Sequence, residues 1–184
     1  MRKITIALAA SAAALLSNGA LAAGYVGGNV GQGHMNIDCA GAQTCNQDGT
    51  SYKFVGGYGF TENLYGELGY INFGKAKVVD QGLGVGFRSQ GVLAAVNYQF
   101  NMGESWLGNV RLGAISMKTK SWAAFEGDSG SISETNLKAY FGLGFGYSIT
   151  KELKLVGEAD FSRAEIVGEE ASLRSLSLGL RYHF

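Results

Sequence analysis

The sequence predicts an all-β chain, a membrane-spanning eight-stranded antiparallel up-and-down barrel, on three observations. Eight runs alternate apolar and polar residues, the connections between them alternate short and long, and the composition suits closely packed strands in lipid. The chain holds 29 Gly, no Pro, 9 Tyr and 10 Phe, with only 16% charged residues, which favours aromatic girdles and close backbone approach. A secreted soluble sandwich would also alternate, but it turns its apolar face inward and its charges to water. Here the charges of the predicted spans are assigned to the face opposite the aromatics, and that assignment selects the barrel.

The N-terminus supports export. Arg2 and Lys3 precede the apolar run from Ile4 to Leu16, and Ala20-Leu21-Ala22 supplies a small-x-small cleavage pattern. Residues 1–22 are expected to be a cleaved secretory signal and 23–184 the barrel domain. The apolar run is shorter than the ~20 residues a spanning helix requires, and no later stretch approaches that length.

The first run, 24–32, is centred on Tyr25 to Val30 and is expected to pair with the last, because an unpaired backbone group in lipid costs several kcal/mol. Runs 51–60 and 64–73 carry Tyr52, Phe54, Tyr58 and Phe60, then Leu64, Leu68 and Tyr70, on one face. Run 88–100 repeats the pattern with Val92, Ala94, Val96, Tyr98 and Phe100, and 106–118 with Trp106, Val110, Leu112 and Ala114. In 136–149 the apolar face runs from Leu137 to Ile149, and in 153–163 it holds Leu153, Leu155, Ala159 and Phe161. The eighth run, 172–184, ends in Leu176, Leu178, Leu180, Tyr182 and Phe184 on one face. An even count returns both termini to the periplasmic side, with short turns there and longer loops outside.

Of the longer connections, 33–50 holds Cys39 and Cys45, which an oxidising compartment would bridge. A metal pair is weaker, because His34 is the only nearby imidazole. The loop 119–135 carries Trp122 and Phe125 among Lys118, Lys120, Glu126 and Asp128, and is read as an interfacial anchor before a specific binding site.

The closing strand, through Ser177, Gly179, Tyr182 and Phe184, resembles the C-terminal signal by which the barrel-assembly machinery recognises its clients. With Val55-Gly56-Gly57-Tyr58, Glu67-Leu68-Gly69-Tyr70, Arg111-Leu112-Gly113 and Gly146-Tyr147-Ser148-Ile149-Thr150, the chain resembles the small eight-stranded bacterial outer-membrane barrels typified by the transmembrane domain of outer membrane protein A. The resemblance implies a monomer in the cell outer membrane, in contact with its lipid and lipopolysaccharide, with a structural, membrane-integrity role. It also allows a narrow low-conductance pore, or an adhesin that binds a host or surface ligand through its loops. No peptidoglycan-binding domain is expected after Phe184.

The same resemblance implies an acid and base network in the lumen. Glu67, Arg111 and Glu158 match its charged positions, whereas Val96 and Gly146 stand where a lysine and a glutamate are expected, so the same gating switch is not anticipated. Counting residues from the periplasmic turns places Glu67, Arg111, Glu158 and Arg181 in adjacent layers, as a salt-bridged plug. An outer layer is expected to combine Lys53, Lys138 and Asp160. Catalysis is not expected, since the only histidines are His34, read as a loop residue, and His183, read as a lumen residue. No cofactor or metal is implied, and a net charge of zero argues against nucleic acid.

Overall fold

The computed structural model describes residues 24–37, 44–80, 83–125, 128–166 and 169–184. The expected signal segment and Cys39 lie outside them, so the cleavage site and the Cys39–Cys45 bridge are not part of the described structure. Among these residues nine strands form: β1 (Gly24–Asn36), β2 (Thr44–Asn46), β3 (Asp48–Gly59), β4 (Leu64–Asp80), β5 (Leu83–Asn101), β6 (Trp106–Phe125), β7 (Asp128–Ser148), β8 (Leu153–Ile166) and β9 (Glu169–His183). Eight of them close an antiparallel barrel, each pairing with the next, and β1 seals it against β9 from Tyr25↔His183 to Asn36↔Ser172. The ninth, β2, is a short addition to the outer part of β4.

The periplasmic turns are built from local chemistry. At the first, the Phe60 amide donates to the Leu64 carbonyl at 2.8 Å while the Thr61 hydroxyl accepts from the Leu64 amide. Thr150 plays the same part for Leu153 at the third. A threonine hydroxyl mimics a backbone acceptor over a tight reversal, which fixes the register of the two strands it joins.

Alternation then makes the molecule inside out. Leu68, Val92, Leu112 and Leu178 are each 60% or more exposed, whereas Glu67 and Arg111 are buried. An apolar exterior around buried charge is what a lipid solvent demands. Tyr58 with Phe60, Tyr98 with Phe100 and Trp106 with Tyr147 form ring contacts at the periplasmic edge, and Tyr52 with Tyr70 and Phe141 with Phe161 do so nearer the outside.

The strands run further outward than the alternation indicates. β5, β6 and β7 hold 19, 20 and 21 residues, against the ~9–11 needed to cross the bilayer. Much of the expected loops 74–87, 119–135 and 164–171 is therefore hairpin standing in water, where neither face must be apolar and the period-two signal fades. Two details differ on the outer face as well. Val96 points to lipid, so it is not a lumen position at all. Arg88, Lys118, Arg163 and Arg174 share the outward face with the apolar belt, contrary to the expected segregation, because they sit level with the outer aromatic girdle, as Arg174 does across from Phe161, or above it.

Candidate functional site

Parity along the strands turns the side chains of Lys53, Glu67, Arg111, Glu158, Asp160 and Arg181 into the lumen, and all six are at most 4% exposed. They form one connected network. The Tyr25 hydroxyl donates to Glu67, and Asn97 donates to both at 2.8 and 2.9 Å. Arg111 Nε lies 2.8 Å from the Glu67 carboxylate, while its Nη2 pairs with Glu158. Glu158 is shared: Arg181 Nη2 reaches it at 2.7 Å and Lys53 Nζ at 2.7 Å. Lys53 also donates to Asp160 at 2.6 Å, and Tyr140 donates to the same carboxylate.

Three acids therefore face three bases, so the network is formally neutral. Neutrality matters because each isolated charge in a dry interior would cost several kcal/mol, while removing both members of a pair costs little. Arg181 adds a cation–π contact, its guanidinium carbon 4.6 Å from the centre of the Tyr25 ring.

Glycine makes the room. A Cβ on Gly142 would crowd the Asp160 carboxylate, the Tyr140 hydroxyl and Arg111, and one on Gly57 would sit 2.3 Å from the Tyr25 ring. Gly57 lies between Tyr25 and Glu67 and Gly142 between Arg111 and Asp160 on the neighbouring strands, so their missing side chains are the space the network fills.

The expected grouping of the charges changes in one respect. Lys53 and Asp160 join the inner network through Glu158 and do not form a separate outer layer. Lys138 leaves that company. It bonds Glu165 at 2.7 Å and Glu170 at 3.2 Å, because β7 stops pairing with β8 above Phe141↔Phe161 and carries Lys138 to the outer rim. There Lys138, followed by Arg163, holds the Glu170 carboxyl below the ordinary carboxylate range.

Outward of the charges the lumen is lined mainly by apolar side chains, with Ser89 and Thr119 hydrogen-bonded to each other above them. Met35, Phe73, Leu93, Ile115, Met117 and Leu173 form a buried cluster that Tyr140 joins, so one tyrosine ties the charged layer to the apolar one. Sequence reasoning missed this layer because apolar residues on both faces of β5, as at Val92-Leu93-Ala94-Ala95, hide which side is which. It also missed Tyr25, Asn97 and Tyr140, although lumen parity marks all three.

At the periplasmic end Tyr25, Val55 and Tyr65 cluster, with the His183 ring 5.0 Å from that of Tyr25. His34 is not a loop residue. It lies on β1 with its Nδ1 2.8 Å from Asp48 of β3. Of the expected assembly signal, Ser177 and Gly179 face the lumen side of β9, while Tyr182 and Phe184 face out; Phe184 exchanges backbone hydrogen bonds with Gly24 at 2.9 and 3.1 Å.

The family model of the outer membrane protein beta-barrel domain matches residues 4–184. No curated protein matches the chain. Among solved structures, the fold is similar to Neisserial surface protein A, with a TM-score of 0.62 and 18% identity over 88% of this chain and 97% of that one. It is also similar to Ail, the attachment invasion locus protein of Yersinia pestis, with a TM-score of 0.58 and 16% identity over 88% and 99% of the two chains. At these identities the likeness is one of fold. A closed eight-stranded barrel with an apolar exterior, matched along nearly its whole length, places the chain in the outer membrane of a Gram-negative bacterium: it belongs to the outer membrane protein beta-barrel domain family.

Proposed function

We propose that this barrel is a structural element of the outer membrane, closed to solutes and without catalytic activity. The observation that carries the reading is the filled lumen. From the periplasmic end outward it holds the Tyr25 and Tyr65 cluster, then the neutral charge network, then the apolar cluster around Leu93 and Ile115. A water path would have to pass a neutral set of buried ion pairs and then a layer lined mainly by apolar side chains. This favours the integrity role over the narrow pore. The histidines point the same way: His183 packs on Tyr25 inside the barrel, and the His34 ring is hydrogen-bonded to Asp48. Liposomes reconstituted with the protein should swell no faster in small sugars or amino acids than empty ones. Swelling that scales with protein content would refute the closed lumen.

A second reading is surface recognition. It is favoured by the long outer hairpins of β4 to β7, which stand beyond the bilayer on a paired sheet. Ail, similar in fold, has been crystallised with the heparin analogue sucrose octasulfate. Shortening the β6–β7 hairpin should abolish adhesion to host glycans if this reading holds, and leave heat-modifiability intact.

A further inference from the structure

The outward cations of the outer barrel are not scattered. The register sets Lys75 of β4 opposite Arg88 of β5, and Arg88 opposite Lys120 of β6. Lys77 lies one outward position above this row and Lys118 one below. Like charges directly across a sheet repel, so such a row opposes folding unless something neutralises it.

Nothing described within the chain does. Among the described residues none of the five forms an ion pair, and Arg88 Nε is buried with no hydrogen-bond partner. The acidic side chains described nearby are turned elsewhere: Glu134 stands opposite Thr119, whose parity is that of the lumen, and Asp48, beside Lys75 on β3, pairs with His34.

The row also depends on an irregularity. Between Asn72 and Lys75 the β4 register slips by one residue at Gly74, whose φ of +95° suits glycine and whose amide is held by the Asn72 side chain at 2.8 Å. Without that bulge Ala76 would face outward and Lys75 and Lys77 inward. A bulge is a device for re-aiming side chains, and here it brings two lysines beside Arg88.

Height identifies the partner. Arg88 is four residues above Val92, the belt residue level with Tyr70, and at ~3.4 Å per residue with a tilt near 40° this is about 10 Å further out. Aromatic girdles mark the edge of the hydrocarbon, so the row stands in the headgroup layer of the outer leaflet. Cross-strand side chains there are ~5 Å apart, close enough for three cations to share one phosphate, and the Arg88 fork can grip two of its oxygens.

We propose that Lys75, Arg88 and Lys120, flanked by Lys77 and Lys118, dock a phosphate of the lipopolysaccharide lipid anchor. The site lies on the barrel exterior and does not depend on whether the lumen conducts.

The test is native mass spectrometry of the full folded chain in detergent, with bisphosphorylated lipid A and its enzymatically dephosphorylated form as probes. Wild type should retain the phosphorylated lipid at least about tenfold better. Arg88→Gln with Lys120→Gln should remove most of that preference while the heat-dependent gel shift stays normal. Arg174→Gln, a cation on β9 at the opposite side of the barrel, should leave it within about twofold. Equal loss in Arg174→Gln would show a diffuse collar, not a site, and would overturn the proposal. So would retention indifferent to phosphate, or tighter binding of a sulfated heparin oligosaccharide than of lipid A at this row.

Discussion

Replacing Arg111 with alanine should destabilise the barrel more than any other single loss in the lumen network. Arg111 is fully buried and, among the described residues, is the only cation paired with Glu67, whereas Glu158 keeps Lys53 and Arg181 when Arg111 goes. The variant leaves Glu67, Glu158 and Asp160 against Lys53 and Arg181, one negative charge in excess. Breaking a buried pair from one side costs about 3–5 kcal/mol. The Tyr25 and Asn97 hydrogen bonds that remain on Glu67 should hold the loss near the lower end of that range. A double variant, Arg111→Met with Glu67→Gln, restores neutrality and most of the volume, so it should recover at least about 1–2 kcal/mol of the loss. Urea unfolding in lipid vesicles, followed by tryptophan fluorescence, measures both. If Arg111→Ala costs under about 1 kcal/mol, or the double variant is as unstable as the single, the charges are individually solvated and the coupled network is refuted.

Leu143→Arg should cost about 2–4 kcal/mol in the same assay, because its half-exposed side chain faces lipid; a loss no greater than that of Leu143→Ala would mean the faces are misassigned. Deleting Phe184 removes an outward aromatic and its two backbone hydrogen bonds to Gly24, so the yield of heat-modifiable protein in the membrane should fall; an unchanged yield would contradict this. The Cys39–Cys45 bridge would close a loop of seven residues, worth only about 2–3 kcal/mol, so Cys39→Ser with Cys45→Ser should still fold. Mass measurement without reductant should find no free thiol in the wild-type chain, and two free thiols would disprove the bridge.

The periplasmic half of the fold is legible in the sequence because lipid enforces it. A strand between two tight turns must show one face to hydrocarbon, so Leu64, Trp106 and Leu153 mark strand starts that the structure places at those residues. Above Tyr52 and Val92 that constraint lapses, and segments such as Ser129 to Asn136 carry no alternation to read although they are paired strand. In the lumen, parity shows that Glu67, Arg111, Glu158 and Arg181 point inward. It does not show depth across strands that shear past one another, and so counting along the sequence sets Lys53 and Asp160 a layer too far out and groups Lys138 with them. Tyr25 and Tyr140 carry no charge to mark them in sequence, because a tyrosine serves a membrane interface and a buried carboxylate equally well. The outward turn of Lys75 depends on a single bulge, marked in sequence only by Asn72-Phe73-Gly74.

Single-channel recording across a planar bilayer tests the closed lumen most directly. Wild-type protein, refolded and shown to be heat-modifiable, should insert without discrete current steps at moderate voltage in concentrated salt, because the neutral network and the apolar cluster leave no continuous aqueous path. Reproducible steps of uniform size, appearing in proportion to the protein added and absent with protein left unfolded, would contradict it.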